Sequence, residues 1–530
     1  MTQINHHEVG NRLPRFLSTR RFVGPITWFL LLITSGLVLG GIAAFFPATF
    51  AAKLGILMGG ALLLVLGLLL PVNAQSPSAL MQRLLFTLVL VSAIWPTYLS
   101  YHGLPGPGIN PTRLVYWTLA GVWGFWFVGS KAFRAQLALR IALFRPFIAL
   151  LVIYLIWAVV CAALSAAPVI SIYYLIKLMI GPVLIFLVAM SCLKDRKDVD
   201  FVLMLIVIAA LAAASVGMIE AYKQKNIFFD IVPSLFPQGD EGESAWAEKL
   251  AGDKSRDGAY RVMSTFTHPL TFGEYLALTL PLAVYLVGFV PQFWHRVFGL
   301  ITIPAMMAGL YVAHTRSPLL AAGVVILGLI GFLGVRAMGQ KRRFGASALG
   351  FFVLIVSVMA FAALVIIGLD MAAGRGAGEI GSTMARIVMF QRGISLVLAQ
   401  PLVGYGPGLA AVTLGFLPGF TVLTIDSYYL SVAMESGLPG LALFTGLLFY
   451  PVFKGFIAGV STPGRDGARL GIIVLALLGF TVVKSVLSLT ENFDVVFLLI
   501  ALLFISLEPV KLNTSIGNHK TIGHATKPWK

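Results

Sequence analysis

Long apolar stretches recur along almost the whole chain, and their length constrains the fold more than any other feature. Many reach about 18 to 25 residues, which is enough to cross the hydrocarbon core of a bilayer as a helix. Hydrophobic residues make up 58% of the 530 residues and charged residues 11%. Charged residues are about 25% of an ordinary soluble protein. The sequence therefore predicts an all-α polytopic membrane protein.

We place about fourteen transmembrane helices by length and composition. They lie near 26–46, 54–71, 84–100, 114–130, 146–165, 171–192, 201–222, 270–290, 297–313, 318–335, 346–368, 428–452, 468–488 and 493–509. These spans divide the chain into seven segments: a basic tail (1–25), an N-terminal transmembrane bundle (26–222), a loop (223–268), central transmembrane helices (269–368), a large loop (369–427), C-terminal transmembrane helices (428–509) and a second tail (510–530).

Basic residues indicate which side of the membrane each segment faces. Most of the 38 Lys and Arg residues fall in the two tails and in alternate short loops between the spans. Short loops rich in Lys and Arg face the cytoplasm, so we predict that both termini are cytoplasmic and that the loops 223–268 and 369–427 are periplasmic. The net charge of +17 follows from this bias and suits anionic lipid. No nucleic-acid partner is expected.

The large loop 369–427 predicts helices that do not span the membrane. Apolar residues recur at three- or four-residue spacing over about 382–399, which is typical of an amphipathic helix that Pro401 would end. The glycine-rich run 404–408 predicts a tight turn, and a second short helix would follow to about Phe416. We expect these helices to lie at the membrane interface or to re-enter the protein, as around an active-site vestibule.

Several short motifs at the predicted periplasmic face resemble the O-antigen ligase and polysaccharide polymerase superfamily. The resemblance covers roughly residues 255–500. Its motifs are 261–269 (RVMSTFTHP), 314–317 (HTRS), Arg386, 401–408 (PLVGYGPG), 426–430 (DSYYL) and 435–440 (ESGLPG). Their order along the chain and their common face carry the resemblance.

The resemblance implies a GT-C-like glycosyltransferase that works without a metal ion or cofactor. Such enzymes move a glycan from undecaprenyl pyrophosphate to an acceptor at the outer face of the bacterial inner membrane. A flippase and a chain-length regulator of the same pathway are implied as partners. In the ligases a histidine usually stands where this chain has Asp426, and this difference favours chain polymerisation. Arg316-Ser317 reverses the more usual Ser-Arg order.

The chemistry of such a transfer needs a base for the acceptor hydroxyl and cations for the leaving pyrophosphate. Guanidinium groups pair bidentately with phosphate and stay charged. The residues that match the family motifs are therefore assigned to pyrophosphate binding: Arg386, Arg316 and Arg261. Arg386 and Asp426 are the predicted catalytic residues, with Asp426 as the base. Asp426 could instead cap the helix that follows it.

Other polar residues near the span ends are weaker candidates. His268 and His314 are accessory candidates, although a histidine at a span end also suits a hydrogen-bonded interface position. Glu274 lies inside a span and should face a cavity or an arginine. Glu435 also lies inside a span, and we expect it to pair with Lys484. Tyr429 could stack on a sugar or belong to an interfacial aromatic belt.

Three functions remain open at this point. The first is an inner-membrane polysaccharide polymerase that joins lipid-linked repeat units, with the lipid-linked glycan as donor and acceptor. The second is an O-antigen-type ligase that uses the same donor and a different acceptor. The third is a lipid-linked oligosaccharide flippase or other transporter, which would place its charges near the membrane midplane. We see no metal-ligand spacing, and the two cysteines, Cys161 and Cys192, both fall in predicted spans.

Overall fold

The structure is a computed structural model, and it describes only part of the chain. The described residues are 78–96, 98–100, 109–228, 255–256, 259–339, 377–415 and 425–508, with a few isolated positions between 352 and 359. They all belong to one unit made of residues 70–103 and 108–530. Within them the chain is helical, apart from a two-residue antiparallel pair of Ser255–Arg256 (β1) with Ala259–Tyr260 (β2).

The described helices follow one another with mostly short connections. In chain order they are α1 (Ser78–Ile94), α2 (Pro111–Gly129), α3 (Lys131–Ala142), α4 (Arg145–Ala163), α5 (Pro168–Cys192), α6 (Arg196–Lys223), α7 (Pro269–Phe289), α8 (Phe293–Val312), α9 (Arg316–Gly339), α10 (Ala377–Ala399), α11 (Ala410–Leu414), α12 (Tyr428–Ser461), α13 (Gly464–Val483) and α14 (Phe493–Leu507).

Among the described residues, eight of these helices are long and apolar enough to cross a membrane. The described part of the chain is therefore almost entirely helical and has the composition of a multi-pass membrane protein. The predicted spans 26–46, 54–71 and 346–368 and both predicted tails lie outside the described residues, and every other predicted span overlaps a helix. The span predicted at 428–452 is longer than expected, because α12 continues to Ser461.

Sequence signals for helix starts explain several boundaries. Pro111, Pro168 and Pro269 each stand in the first turn of their helix, where the missing N–H is not needed and the fixed φ angle suits the helix. The Asn110 side chain accepts a hydrogen bond from the backbone N–H of Arg113 at 2.8 Å and so caps α2.

Two helices form the centre of the bundle. In both α7 and α13, 83% of the spanning residues are buried, against 28% in the peripheral α8. α7 packs against α6, α8, α9 and α13. Small residues allow this close approach, because a Cβ atom on Gly217 would lie 2.9 Å from the Phe272 ring and one on Gly309 would lie 2.7 Å from Leu276.

Buried ion pairs tie the helices together at one end of the bundle. The Asp200 carboxylate at the start of α6 accepts hydrogen bonds from Arg469 Nε at 2.8 Å, from Tyr285 Oη at 2.7 Å and from Arg465. Arg469 also reaches Asp466 at 2.8 Å. We call this the basic end. The positive-inside rule predicts that it faces the cytoplasm.

The same end holds a second buried pair close to the start of α6. Arg140 binds both carboxylate oxygens of Glu508, at 2.8 and 2.9 Å, and donates to the backbone carbonyls of Met190 and Leu193. This fork-to-fork geometry satisfies most of the guanidinium donors inside the protein. It fastens the end of α14 to the end of α5.

The opposite end of the bundle gathers most of the predicted site residues. Backbone and side-chain hydrogen bonds join its segments: Val262 N to Val312 O at 3.4 Å, Tyr428 N to Lys484 O at 2.9 Å, and Asn492 Nδ2 to Thr271 O at 3.1 Å. We call it the Asp426 end. Its connecting segments start or finish α6, α7, α8, α9, α12, α13 and α14.

Candidate functional site

Arg386 and Asp426 meet at the Asp426 end. Arg386 lies on α10, the helix predicted over 382–399, and Asp426 lies just before α12. Arg386 Nε donates to Asp426 Oδ2 at 2.8 Å, and the two side chains are 40% and 37% exposed. The cap of α12 is Ser427, whose hydroxyl accepts from Leu430 N at 3.4 Å. Asp426 is therefore not the capping side chain.

The pair leaves hydrogen-bonding capacity unused. Among the described residues, no partner is present for the two η nitrogens of Arg386 or for Asp426 Oδ1. A guanidinium offers five N–H donors in a planar fork, and a carboxylate accepts at both oxygens. Arg386 can thus hold Asp426 through Nε and still present its fork to an anion.

α10 is held against the first turns of α12. Met389, Val397 and Leu430 are buried together, and a Cβ atom on Gly393 would lie 2.8 Å from the Leu430 side chain. Asp426 N donates to Met389 Sδ at 3.2 Å. These contacts fix the position of Arg386 relative to Asp426.

A glycine-rich loop, residues 401–408, follows α10 and fills a break in α12. At Gly437 the backbone leaves the helix (φ 69°, ψ −175°). Tyr405 N donates to Met434 O at 2.8 Å and Gly406 N to Glu435 O at 3.0 Å, while Leu438 N donates to Pro401 O at 2.7 Å. Backbone carbonyl and N–H groups of α12 that a continuous helix would pair internally are thus hydrogen-bonded to the loop.

Glycine is required where this loop meets its neighbours. Gly406 and Gly408 have φ of 106° and 78°, in the region that favours glycine. A Cβ atom on Gly406 would lie 2.2 Å from the Ser165 side chain, and one on Gly408 would lie 2.6 Å from Tyr174. The loop therefore packs directly on the α4–α5 connection.

The buried residue Glu435 lies next to the glycine-rich loop. Its carboxylate accepts a hydrogen bond from the Ser431 hydroxyl at 3.2 Å, and its backbone carbonyl accepts from Gly406 N of the loop at 3.0 Å. The expected pairing of Glu435 with Lys484 is wrong. Glu435 lies beside the break in α12 and contacts Ser431, whereas the Lys484 ammonium contacts another carboxylate.

Lys484 pairs with Glu274 instead. Its ammonium lies 2.7 Å from Glu274 Oε1, and Asn492 Nδ2 donates to Glu274 Oε2 at 2.8 Å. Both charged side chains are fully buried, and the Phe480 and Phe493 rings lie 4.6 and 5.3 Å from the ammonium. Glu274 therefore faces a lysine, not the cavity or arginine that we predicted.

Glu220, which we did not single out from the sequence, holds the segment that carries Arg261. Its buried carboxylate accepts from Ser264 N at 2.7 Å, Met263 N at 3.3 Å and Tyr260 Oη at 2.9 Å. Burial and this carboxylate raise the pKa of the Tyr260 hydroxyl above its usual value, so it remains a donor. Arg261 is half-buried beside this anchored segment.

Arg261 and Arg316 belong to adjoining segments. Val262 N bonds to the last carbonyl of α8, and α9 begins at Arg316 a few residues later. A Cβ atom on Gly273 would lie 2.8 Å from Pro318, which seats the start of α9 against α7 beside Glu274. Arg316 and His314 are exposed, and His314 has a φ of 46°.

His268 and Tyr429 have structural contacts. His268 Nδ1 accepts from Leu270 N at 3.1 Å and so caps α7. Tyr429 Oη donates to Thr481 O at 2.8 Å, and its ring packs edge-on near Phe444. Among the described residues, no three His, Cys, Asp or Glu side chains gather as a metal site would require.

The comparison with known families matches this part of the chain. Residues 301–445 match the family model Wzy_C, described as O-antigen ligase. These residues are similar to the O-antigen ligase family, and we call them the Wzy_C domain after the family model. This Wzy_C domain contains Arg316, Arg386 and Asp426. It also contains Glu435 and the glycine-rich loop, and it ends before Lys484. A search of curated proteins found no match.

The residues that the sequence interpretation missed lie partly inside the Wzy_C domain. Gly437-Leu438-Pro439 carries a signal for the break in α12, because proline favours the first turn of a new helix. The acceptor role of Glu435 has no sequence signal of its own. Glu220 was missed and lies outside the domain, as does Lys484, whose partner was predicted wrongly; both side chains are buried.

Gly437→Ala should unfold the Wzy_C domain. A Cβ atom there would lie 2.1 Å from the backbone oxygen of Leu402, and backbone angles of 69° and −175°, which essentially only glycine adopts, cost an alanine about 1–3 kcal/mol by themselves. We expect little folded protein, measured by size-exclusion chromatography in detergent. Gly464→Ala is the matched control, because Gly464 has the same φ with no atom within 4 Å of the added Cβ. Equal loss in both variants would contradict a clash with the loop.

Proposed function

We propose that this protein is a polysaccharide polymerase of the bacterial inner membrane. It would join undecaprenyl-pyrophosphate-linked oligosaccharide repeat units at the periplasmic face, without a metal ion or cofactor. The observation that carries the proposal is the half-exposed Arg386–Asp426 pair, which lies at the Asp426 end and inside the Wzy_C domain. Arg316 and Arg261 complete the proposed pyrophosphate site.

The geometry supports separate roles for Asp426 and Arg386 in this reaction. The acceptor hydroxyl oxygen attacks the anomeric carbon of the donor, and the bond from that carbon to the phosphate oxygen breaks. The hydroxyl proton passes to Asp426 Oδ1. Undecaprenyl pyrophosphate leaves with the added negative charge, which the η nitrogens of Arg386 stabilise. Nε of the same guanidinium keeps Asp426 in place.

The membrane arrangement belongs to the same proposal. We infer about fourteen spans in a GT-C-like fold, with both termini cytoplasmic and the Asp426 end periplasmic. Support comes from the arginines of the basic end, which cluster at the opposite end of the bundle from the candidate site. A flippase that supplies repeat units and a chain-length regulator are the proposed protein partners.

A deletion strain tests the function against its two rivals. Loss of a polymerase should leave single lipid-linked repeat units that a membrane-impermeant glycosidase can cleave in spheroplasts. Accumulated long lipid-linked chains would instead identify the ligase, which needs a different acceptor. Single units protected from the glycosidase would identify a flippase. Restoring the gene should return polymer in each case.

Asp426→Asn should stop turnover without loss of donor binding. Asparagine can still accept from Arg386 Nε, but it cannot take a proton, so we expect kcat to fall about 10²- to 10⁴-fold with little change in KM. The measurement is product formation by purified protein in vesicles with a lipid-linked donor. Ser427→Ala is the control, because it removes the α12 cap and costs about 1 kcal/mol of stability. Full activity of Asp426→Asn would leave Asp426 with a role in positioning only.

A further inference from the structure

The surface of α10 divides into three sectors. One sector, with Met389, Gly393 and Val397, is buried against the start of α12. Beside it runs an exposed apolar strip of Ile387, Phe390, Ile394 and Leu398, which are 47%, 37%, 51% and 68% exposed. At about 100° per residue, these four side chains fall within an arc of roughly 80°. The remaining side carries Gln391, Arg392 and Ser395, with Val388 among them.

Water is a poor partner for the apolar strip. Burial of an apolar side chain of this size is strongly favourable relative to its exposure to water. Four such side chains on one arc therefore favour an apolar environment together, since about half of each is uncovered. Scattered exposed apolar residues need no explanation, but a continuous strip indicates a partner.

The strip is continuous with the apolar surface of a spanning helix. After Leu398 the chain reaches Leu402, which is 66% exposed, and the Pro401 carbonyl accepts from Leu438 N at 2.7 Å. Leu438 is 47% exposed and begins the exposed side of α12, which continues through Phe449 and Phe453. In a multi-pass protein, such a side of a spanning helix faces lipid tails.

We propose that α10 lies in the membrane surface, with the apolar strip in the lipid tails of the leaflet at the Asp426 end. The buried sector contacts α12, and the Gln391 side faces water. This arrangement is that of an interfacial amphipathic helix with protein on one flank. It places the Arg386–Asp426 pair at head-group depth. Under the proposed function, on which this last point rests, the pyrophosphate of a lipid-linked donor meets Arg386 without leaving the bilayer.

Spin labels on the full-length protein test the position of α10. Ile394→Cys and Ser395→Cys place a nitroxide on neighbouring residues of the apolar strip and the polar side. The native Cys161 and Cys192 are buried, and unaltered protein measures any label that they take up. The protein is reconstituted in vesicles of phosphatidylethanolamine and phosphatidylglycerol. We expect the label at 394 to collide more with oxygen than with a water-soluble nickel complex, and the label at 395 to show the reverse order.

Other results would overturn the proposal. Greater access of the nickel complex at both sites would place the strip in water. An immobile label at 394 that neither reagent reaches would mean that protein covers the strip. Dipolar broadening between labels would then identify a second copy, and its absence would indicate another segment of this chain. No donor or turnover enters the measurement, so failure of the proposed function leaves its result intact.

Discussion

Replacing Arg386 with alanine should abolish glycan transfer and leave the bundle intact. The ion pair with Asp426 is more than one-third exposed on both sides, and exposed pairs contribute about 0–1 kcal/mol to stability. Loss of one preorganised donor at a developing negative charge costs about 10²- to 10³-fold in rate. The functional effect should therefore far exceed the effect on folding. Product formation in vesicles measures the first, and size-exclusion chromatography measures the second.

Two further variants separate the role of Arg386 from general loss of charge. Arg392→Ala removes a guanidinium from the polar side of the same helix, and we expect nearly normal product. Arg386→Lys keeps the charge and loses the planar fork, so activity should be partial. Normal chain length in Arg386→Ala would remove the main residue assignment. Equal losses in Arg386→Ala and Arg392→Ala would attribute the effect to the surface charge of α10.

Breaking the Glu274–Lys484 pair on one side should destabilise the protein strongly. Both side chains are fully buried, and an unpaired charge left by removal of a buried partner costs about 3–5 kcal/mol. We expect Lys484→Met and Glu274→Gln each to lower the thermal unfolding temperature in detergent markedly. Tyr428, two residues after Asp426, bonds to the Lys484 carbonyl, so activity should fall as well.

The double variant Lys484→Met with Glu274→Gln is the decisive member of this set. It removes both charges, and a glutamine at 274 can still accept the hydrogen bond from Asn492. Replacement of a whole buried pair is often close to neutral, so the double variant should be more stable than either single variant. Additive losses would show that the two side chains act independently in the folded protein.

Eight of the predicted spans match helices of spanning length among the described residues, and they were predictable because lipid leaves a long apolar segment with few alternatives to a helix. α10 was predictable for a related reason, since its apolar residues repeat with helical spacing and Pro401 ends the helix. Arg386 and Asp426 were both assigned to the site because they match family motifs in the same predicted loop. Their contact through Nε and Oδ2 was not predicted and needed the structure.

The partners of the buried charges were not predictable. Glu274 and Lys484 are separated by more than two hundred residues, and no local sequence pattern around either residue predicts the other as its partner. We paired Glu435 with Lys484 because each is a charge within a predicted span. The helix breaks at Gly437, and there the backbone carbonyl of Glu435 accepts a hydrogen bond from Gly406 N of the preceding loop. Interpretation of helical periodicity assumes a continuous helix and so misses this exchange.

The break in α12 also has a consequence for the passage of ions and water through the protein. In many transporters, an unwound segment offers bare carbonyl oxygens that coordinate a coupling ion. Here the carbonyls of Met434, Glu435 and Ser436 already accept hydrogen bonds from Tyr405 N, Gly406 N and Trp157 Nε1. A sodium ion or a file of water molecules would have to displace these donors. Hydrogen bonds therefore close the break in α12. This closure supports the proposed enzyme over a transporter that opens alternately to the two sides of the membrane.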